Sequence, residues 1–140
     1  MAGDLTGHSS AGLKPAQRGA VTGTAASGGQ PHRVSVEWLV DTGSDVSTVS
    51  DAVAAQFALR PAGIGTTAQG VGGGLRLLPR RGLTVEFEVE DANGQPQQQA
   101  QPTIVFVGGT GAILGMHELV VVNAAISWRP KSSFGHLRTP

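Results

Sequence analysis

The chain has no cysteine and no tyrosine among its 140 residues, and only four phenylalanines and two tryptophans. Without cysteine there is no disulfide framework and no thiolate chemistry, and the redox compartment is left open. Charge of one sign is also missing: ten basic residues balance ten acidic ones. The basic residues are scattered apart from the short run Arg76, Arg80 and Arg81, so no nucleic-acid footprint is visible and nucleic acid is set aside as a partner. No apolar run reaches membrane-spanning length, and residues 1–18, rich in Gly, Ala and Ser, lack a stretch long enough for a signal peptide. The chain is read as soluble, with no membrane segment and its location otherwise unknown. His8, His32, His117 and His136 have no ligand spacing, so neither a metal site nor another cofactor is expected. A Gly-x-Ser-x-Gly elbow is absent, which argues against a serine nucleophile. A calcium loop would want glycine at its sixth position, where the run starting at Asp41 has Val46.

What the sequence does have is glycine, 21 residues of it, with eight prolines and no long amphipathic helical pattern. Short strands joined by turns follow, a mainly β chain of one domain. Residues 19–26 and 33–40 read as a hairpin turning at Ser27-Gly28-Gly29-Gln30. In the second strand Val34, Val36, Trp38 and Val40 share one face, and Ser35, Glu37, Leu39 and Asp41 the other. Asp41 thus emerges at a strand end. Ser50 or Asp51 is placed to cap a short helix through residues 52–57. Residues 75–78 and 83–89 alternate, which predicts a glycine-tipped hairpin around residues 70–74. Residues 91–101 are polar and low in complexity, residues 103–107 read as a buried strand, and Ile113-Leu114-Gly115 precedes a short helix near residues 116–121. A last strand covers residues 125–128, and the two tryptophans, Trp38 and Trp128, are read as core or interface aromatics.

The segment Leu39-Val40-Asp41-Thr42-Gly43-Ser44 carries the chemistry. Gly43 lets the backbone turn sharply, and the hydroxyls of Thr42 and Ser44 can hydrogen-bond nearby groups. By themselves these residues also fit a plain polar turn. Two further landmarks follow in order, Gln69-Gly70-Val71-Gly72-Gly73 and Ile113-Leu114-Gly115. Together the three resemble the retropepsin-like family of single-domain aspartic proteases, over roughly residues 18–130, with the flexible segments 1–17 and 131–140 outside the domain. The ending, from Ile113 through Trp128, is similar to proteases of retrotransposon polyproteins and related stand-alone members. The chain departs from the pattern at Met116, where some viral members have arginine, and at His117, where the family often has Asp. The missing tyrosine fits a single-domain member, since two-domain pepsin relatives use a flap tyrosine.

The resemblance implies a retropepsin-like closed acid-protease barrel with one short C-terminal helix and one lobe per chain. It implies an aspartic endopeptidase in which water is activated between two carboxylates that share one proton, because like charges about 3 Å apart cannot both ionise. Only one Asp-Thr-Gly occurs and no internal repeat supplies another, so the second aspartate must come from a second chain in a C2 homodimer. Carried over by motif, Asp41 is catalytic, and Thr42, Gly43 and Ser44 support its loop, Ser44 as a hydrogen-bond donor to the carboxylate. Leu39, Asp45, Gly70, Val71 and Gly72 contact a polypeptide substrate lying as an added strand. Ile113, Leu114 and Gly115 pack beneath the site. The rival reading is a catalytically silent dimeric peptide-binding or assembly module on the same fold.

Overall fold

The computed structural model describes residues 3–6, 8–9, 15–41, 43–70, 73–121, 125–129 and 134–139. Along these residues run β1 (Gly3–Thr6), β2 (His8–Ser9), β3 (Pro15–Thr24), β4 (Pro31–Val40), β5 (Thr48–Val49), α1 (Asp51–Ala54) and β6 (Arg60–Pro61). Then follow β7 (Thr66–Gly70), β8 (Gly73–Glu90), β9 (Pro96–Val107), β10 (Ala112–Leu114), α2 (Met116–Val121), β11 (Ala125–Arg129) and β12 (Phe134–Thr139). The chain is mainly β, and its centre is a closed six-stranded barrel. β3 pairs β4 antiparallel, β4 pairs β10 parallel, β10 pairs β5 antiparallel, and β5 pairs β9 parallel. β9 pairs β8 antiparallel, and β8 returns to β3, so the six strands have no free edge where the ladder is complete.

Two-residue alternation builds the core. On β4 Trp38 and Val40 are buried while Arg33, Ser35 and Glu37 face water. On β8 Leu83, Val85, Phe87 and Val89 are buried and alternate with the half-buried Thr84, Glu86, Glu88 and Glu90. Burial of Val85, Phe87 and Val89 contributes roughly 1.5–3 kcal/mol each. The β3–β4 hairpin turns at Gly29, whose φ of 77° glycine adopts without strain. α1 stops at Ala54 and is capped by Ser50, whose hydroxyl accepts the Val53 N–H at 3.2 Å.

The closing seam is partly made of side chains. The β3–β8 ladder covers only Ala20–Gly23 against Leu83–Glu86. Beyond it, the Gln17 amide takes over: Nε2 donates to the Glu88 carbonyl at 2.6 Å and Oε1 accepts the Glu88 N–H at 3.2 Å. Trp38 Nε1 donates to the Glu86 carbonyl at 2.8 Å, and its ring lies where a Cβ on Gly19 would collide with it. Buried backbone groups that the ladder leaves are thereby paired.

Two findings differ from the sequence reading. Residues 91–101 are not merely a polar stretch: β8 and β9 form a hairpin about Asp91, with Gln97–Gln101 paired to Val85–Val89. The glutamines are tolerated because this half of β9 has β8 on one side and water on the other. Residues 1–17 and 131–140, expected to be flexible, contain β1 and β12, which pair antiparallel from Gly3↔Thr139 to Thr6↔His136, with β11 on the far side of β12. The hairpin β7–β8 is present, with Thr66 opposite Leu77 and Gly70 opposite Gly73, but its tip residues Val71 and Gly72 lie outside the described residues. Trp38 is fully buried; for Trp128 only its place on β11 is described.

Candidate functional site

Asp41 follows the last residue of β4, and its N–H donates to the Leu114 carbonyl at 3.1 Å, continuing the parallel β4–β10 contact. Ile113 and Leu114 lie opposite Leu39 and Val40 in that ladder, so the Ile113-Leu114-Gly115 element supports the strand that presents Asp41. The loop then turns back on itself. Ser44 N–H donates to the Asp41 carbonyl at 3.2 Å, and Gly43 N–H donates to Asp41 Oδ1 at 2.9 Å. That amide is the one hydrogen bond to the Asp41 carboxylate among the described residues, and it fixes one oxygen while the half-buried group keeps access to the cleft. Ser44 does not serve the carboxylate: its hydroxyl donates to the Val46 carbonyl at 2.7 Å, tying the loop together. Thr42 lies outside the described residues.

The start of α2 anchors the same loop from below. Met116 N–H donates to the Ser44 carbonyl at 2.8 Å and His117 N–H to the Asp45 carbonyl at 3.1 Å, so the orphan amides of the helix's first turn are spent on loop carbonyls. Gly115 passes so close to Val46 that an added Cβ would stand 2.9 Å from the Val46 nitrogen and closer still to its carbonyl. Only glycine permits that approach. Gly115 N–H donates to Ser47 Oγ at 2.9 Å, and Ser47 Oγ in turn donates to Glu118 Oε2. Both Ser47 and Glu118 are buried, and Glu118 Oε1 has no partner among the described residues. Sequence reasoning missed this pair, since a glutamate in an amphipathic turn reads as solvent-facing.

A cleft of about 740 Å³ opens above Asp41. Gly43, Ser44, Asp45 and Ile113 line it as well, so these sequence-selected residues come together around the carboxylate. Leu39 does not line it; it is half-buried on β4 between Ala16 and Ile113. Gly70 is the last residue of β7, while Val71 and Gly72 lie outside the described residues. The other walls were not singled out from sequence: Thr66, Thr67, Leu75 and Leu77 on the β7–β8 hairpin, Phe106 on β9, and the loop Gly108-Gly109-Thr110-Gly111. That Gly-Gly-Thr-Gly run was the available signal, and Gly109 has a φ of 73°.

A second cleft, about 900 Å³, lies on the far side of Asp45 and does not contain Asp41. It is the larger of the two, yet the smaller one holds the presented carboxylate and is the candidate site. Asp45, Val46, Ile64 and Phe106 line both, so the clefts meet. Ile64, 92% exposed, stands at the junction. Among the described residues no group of three or more acidic or histidine side chains could hold a metal ion, and no helix is long and apolar enough to cross a membrane. No protein-family model matches the chain, and no curated protein matches it.

Proposed function

We propose that this chain is one half of a retropepsin-like aspartic endopeptidase and that a second copy supplies the other catalytic Asp41. The observation that carries the reading is the presentation of Asp41: a carboxylate at a strand end, one oxygen held by the Gly43 amide at 2.9 Å, within a cleft that the β7–β8 hairpin also lines. A carboxylate kept only for structure would be expected to spend both oxygens on the protein. A cleft with a β-hairpin along one wall suits an extended peptide, which exposes backbone donors and acceptors along its length.

Two such carboxylates brought together on a symmetry axis share a proton. The ionised one takes a proton from water as the water attacks the scissile carbonyl carbon. The protonated one hydrogen-bonds the developing oxyanion, and a proton is delivered to the departing amine as the carbon–nitrogen bond breaks. Loop rigidity matters here, since a misplacement of about 1 Å can cost about a hundredfold in rate. The bonds from Met116, His117 and Gly115 into residues 44–47 supply that rigidity.

Incubation of the full chain with a diverse peptide mixture between about pH 4 and pH 7, with product ends read by mass spectrometry, tests the reading. Wild type is expected to cleave and Asp41→Asn, which preserves size and the Gly43 contact, to be silent. Equal silence from a folded, dimeric wild type would favour the non-cleaving peptide-binding module.

A further inference from the structure

The larger cleft beyond Asp45 has a charge pattern that the fold itself leaves unanswered. Arg60 on β6 and Arg81 on β8 are direct cross-strand partners, both exposed and both lining that cleft. Like charges directly opposite one another on a sheet repel. Neither arginine ion-pairs with a carboxylate among the described residues, where the ion pair present joins Arg33 to Glu86. Asp45 is the carboxylate on the cleft wall, and it too stays beyond ion-pair distance of both.

The position of Arg81 is built into the backbone. The β8–β9 register breaks between Arg80 and Leu83, and Gly82 at the break has a φ of 118°. A bulge of this kind re-aims a side chain next to a site. β6 fills the gap by pairing Arg60 with Arg81 and Pro61 with Arg80, while the Arg80 guanidinium is turned to the Pro79 carbonyl at 3.0 Å. A Cβ on Gly82 would stand 3.2 Å from the Ala58 carbonyl, which holds the bulge to glycine.

The cleft is continuous with the one above Asp41 through Asp45, Val46, Ile64 and Phe106. We propose that Arg60 and Arg81 together bind a carboxylate side chain of the polypeptide occupying the Asp41 cleft, making this second cleft an acidic-residue subsite away from the scissile bond. The proposal rests on the peptide-cleft reading above. A carboxylate between two guanidinium forks relieves their repulsion and gains charge-assisted hydrogen bonds. Substrates are thereby selected for Asp or Glu outside the residues that flank the cut bond.

The test uses the full-length Asp41→Asn protein and fluorescein-labelled peptides that share one apolar centre and differ only in flanking Glu, Gln or Lys. Fluorescence anisotropy is expected to give the Glu peptide an affinity about five- to tenfold above the Gln peptide, shrinking as salt is raised. Arg60→Gln with Arg81→Gln removes that advantage, and Arg60→Glu with Arg81→Glu transfers it to the Lys peptide. Equal binding of the Glu and Gln peptides, or a Glu preference that survives Arg60→Gln with Arg81→Gln, overturns the proposal. Cleavage of the same peptides by protein with Asp41 intact separates the two readings. Cleavage with no Glu preference leaves the peptidase and removes the subsite, whereas arginine-dependent Glu binding without cleavage supports the subsite and removes the peptidase.

Discussion

Around Asp41 the decisive contacts are short-range and mostly from backbone. One amide orients the carboxylate, one serine hydroxyl closes the loop, and a glycine lets α2 approach from below. Ser47 joins these to the interior, because its hydroxyl both accepts from Gly115 N–H and donates to the buried Glu118. Truncation by Ser47→Ala strips partners from two buried groups at once. Each group left unpaired costs about 1–3 kcal/mol, so urea unfolding should show a loss of at least about 2 kcal/mol. An unchanged urea midpoint would mean that the Glu118 carboxyl has another partner. The identity of residue 118 carried no such signal in the sequence, since its burial depends on Ser47 lying 71 residues away. Asp41, by contrast, was legible because strand alternation and the Thr-Gly-Ser turn are both local patterns.

At the scale of elements, the β8–β9 hairpin gives a pH-dependent prediction. The hydrogen bond from the Gln95 backbone, the largest influence, holds the Asp91 carboxyl below its ordinary value of 3.8; desolvation opposes it, and hydrogen bonds from the Asn93 backbone and the Gln97 side chain add to the lowering. A carboxyl whose folded-state pKa is depressed adds stability above its unfolded pKa and loses it as pH falls through the folded value. Wild type should therefore melt above Asp91→Asn near neutral pH, and the gap should close below the ordinary value of 3.8. A gap that is constant with pH would assign the effect to geometry and not to charge. The sequence disclosed β4, most of β8, the β10–α2 element and the existence of the β7–β8 hairpin, since each is marked by alternation or by glycine within a few residues. It did not disclose the polar half of β9, whose glutamines sit on an edge and lack an apolar face. A closed barrel was expected from the resemblance, but the contacts that close it were not legible, since they depend on β3 meeting β8 and on the Gln17 amide reaching Glu88. The Arg60–Arg81 pairing was hidden for the same reason, because only a bulge in folded β8 sets it.

Across the whole molecule, the closed barrel fixes the core, and β1, β12 and β11 form a separate three-stranded sheet from the two ends of the chain. One protomer offers one presented aspartate, whereas the proposed chemistry needs two carboxylates sharing a proton. The account therefore makes activity a property of pairs of chains. Its most direct test is to mix wild type with Asp41→Asn in equal amounts, allow exchange, and measure peptide cleavage at fixed total protein. Random assortment leaves about a quarter of the dimers with two Asp41 carboxylates, so cleavage should fall to about a quarter of the pure wild-type rate. Retention of about half would mean that each chain cuts independently, and would contradict the shared site.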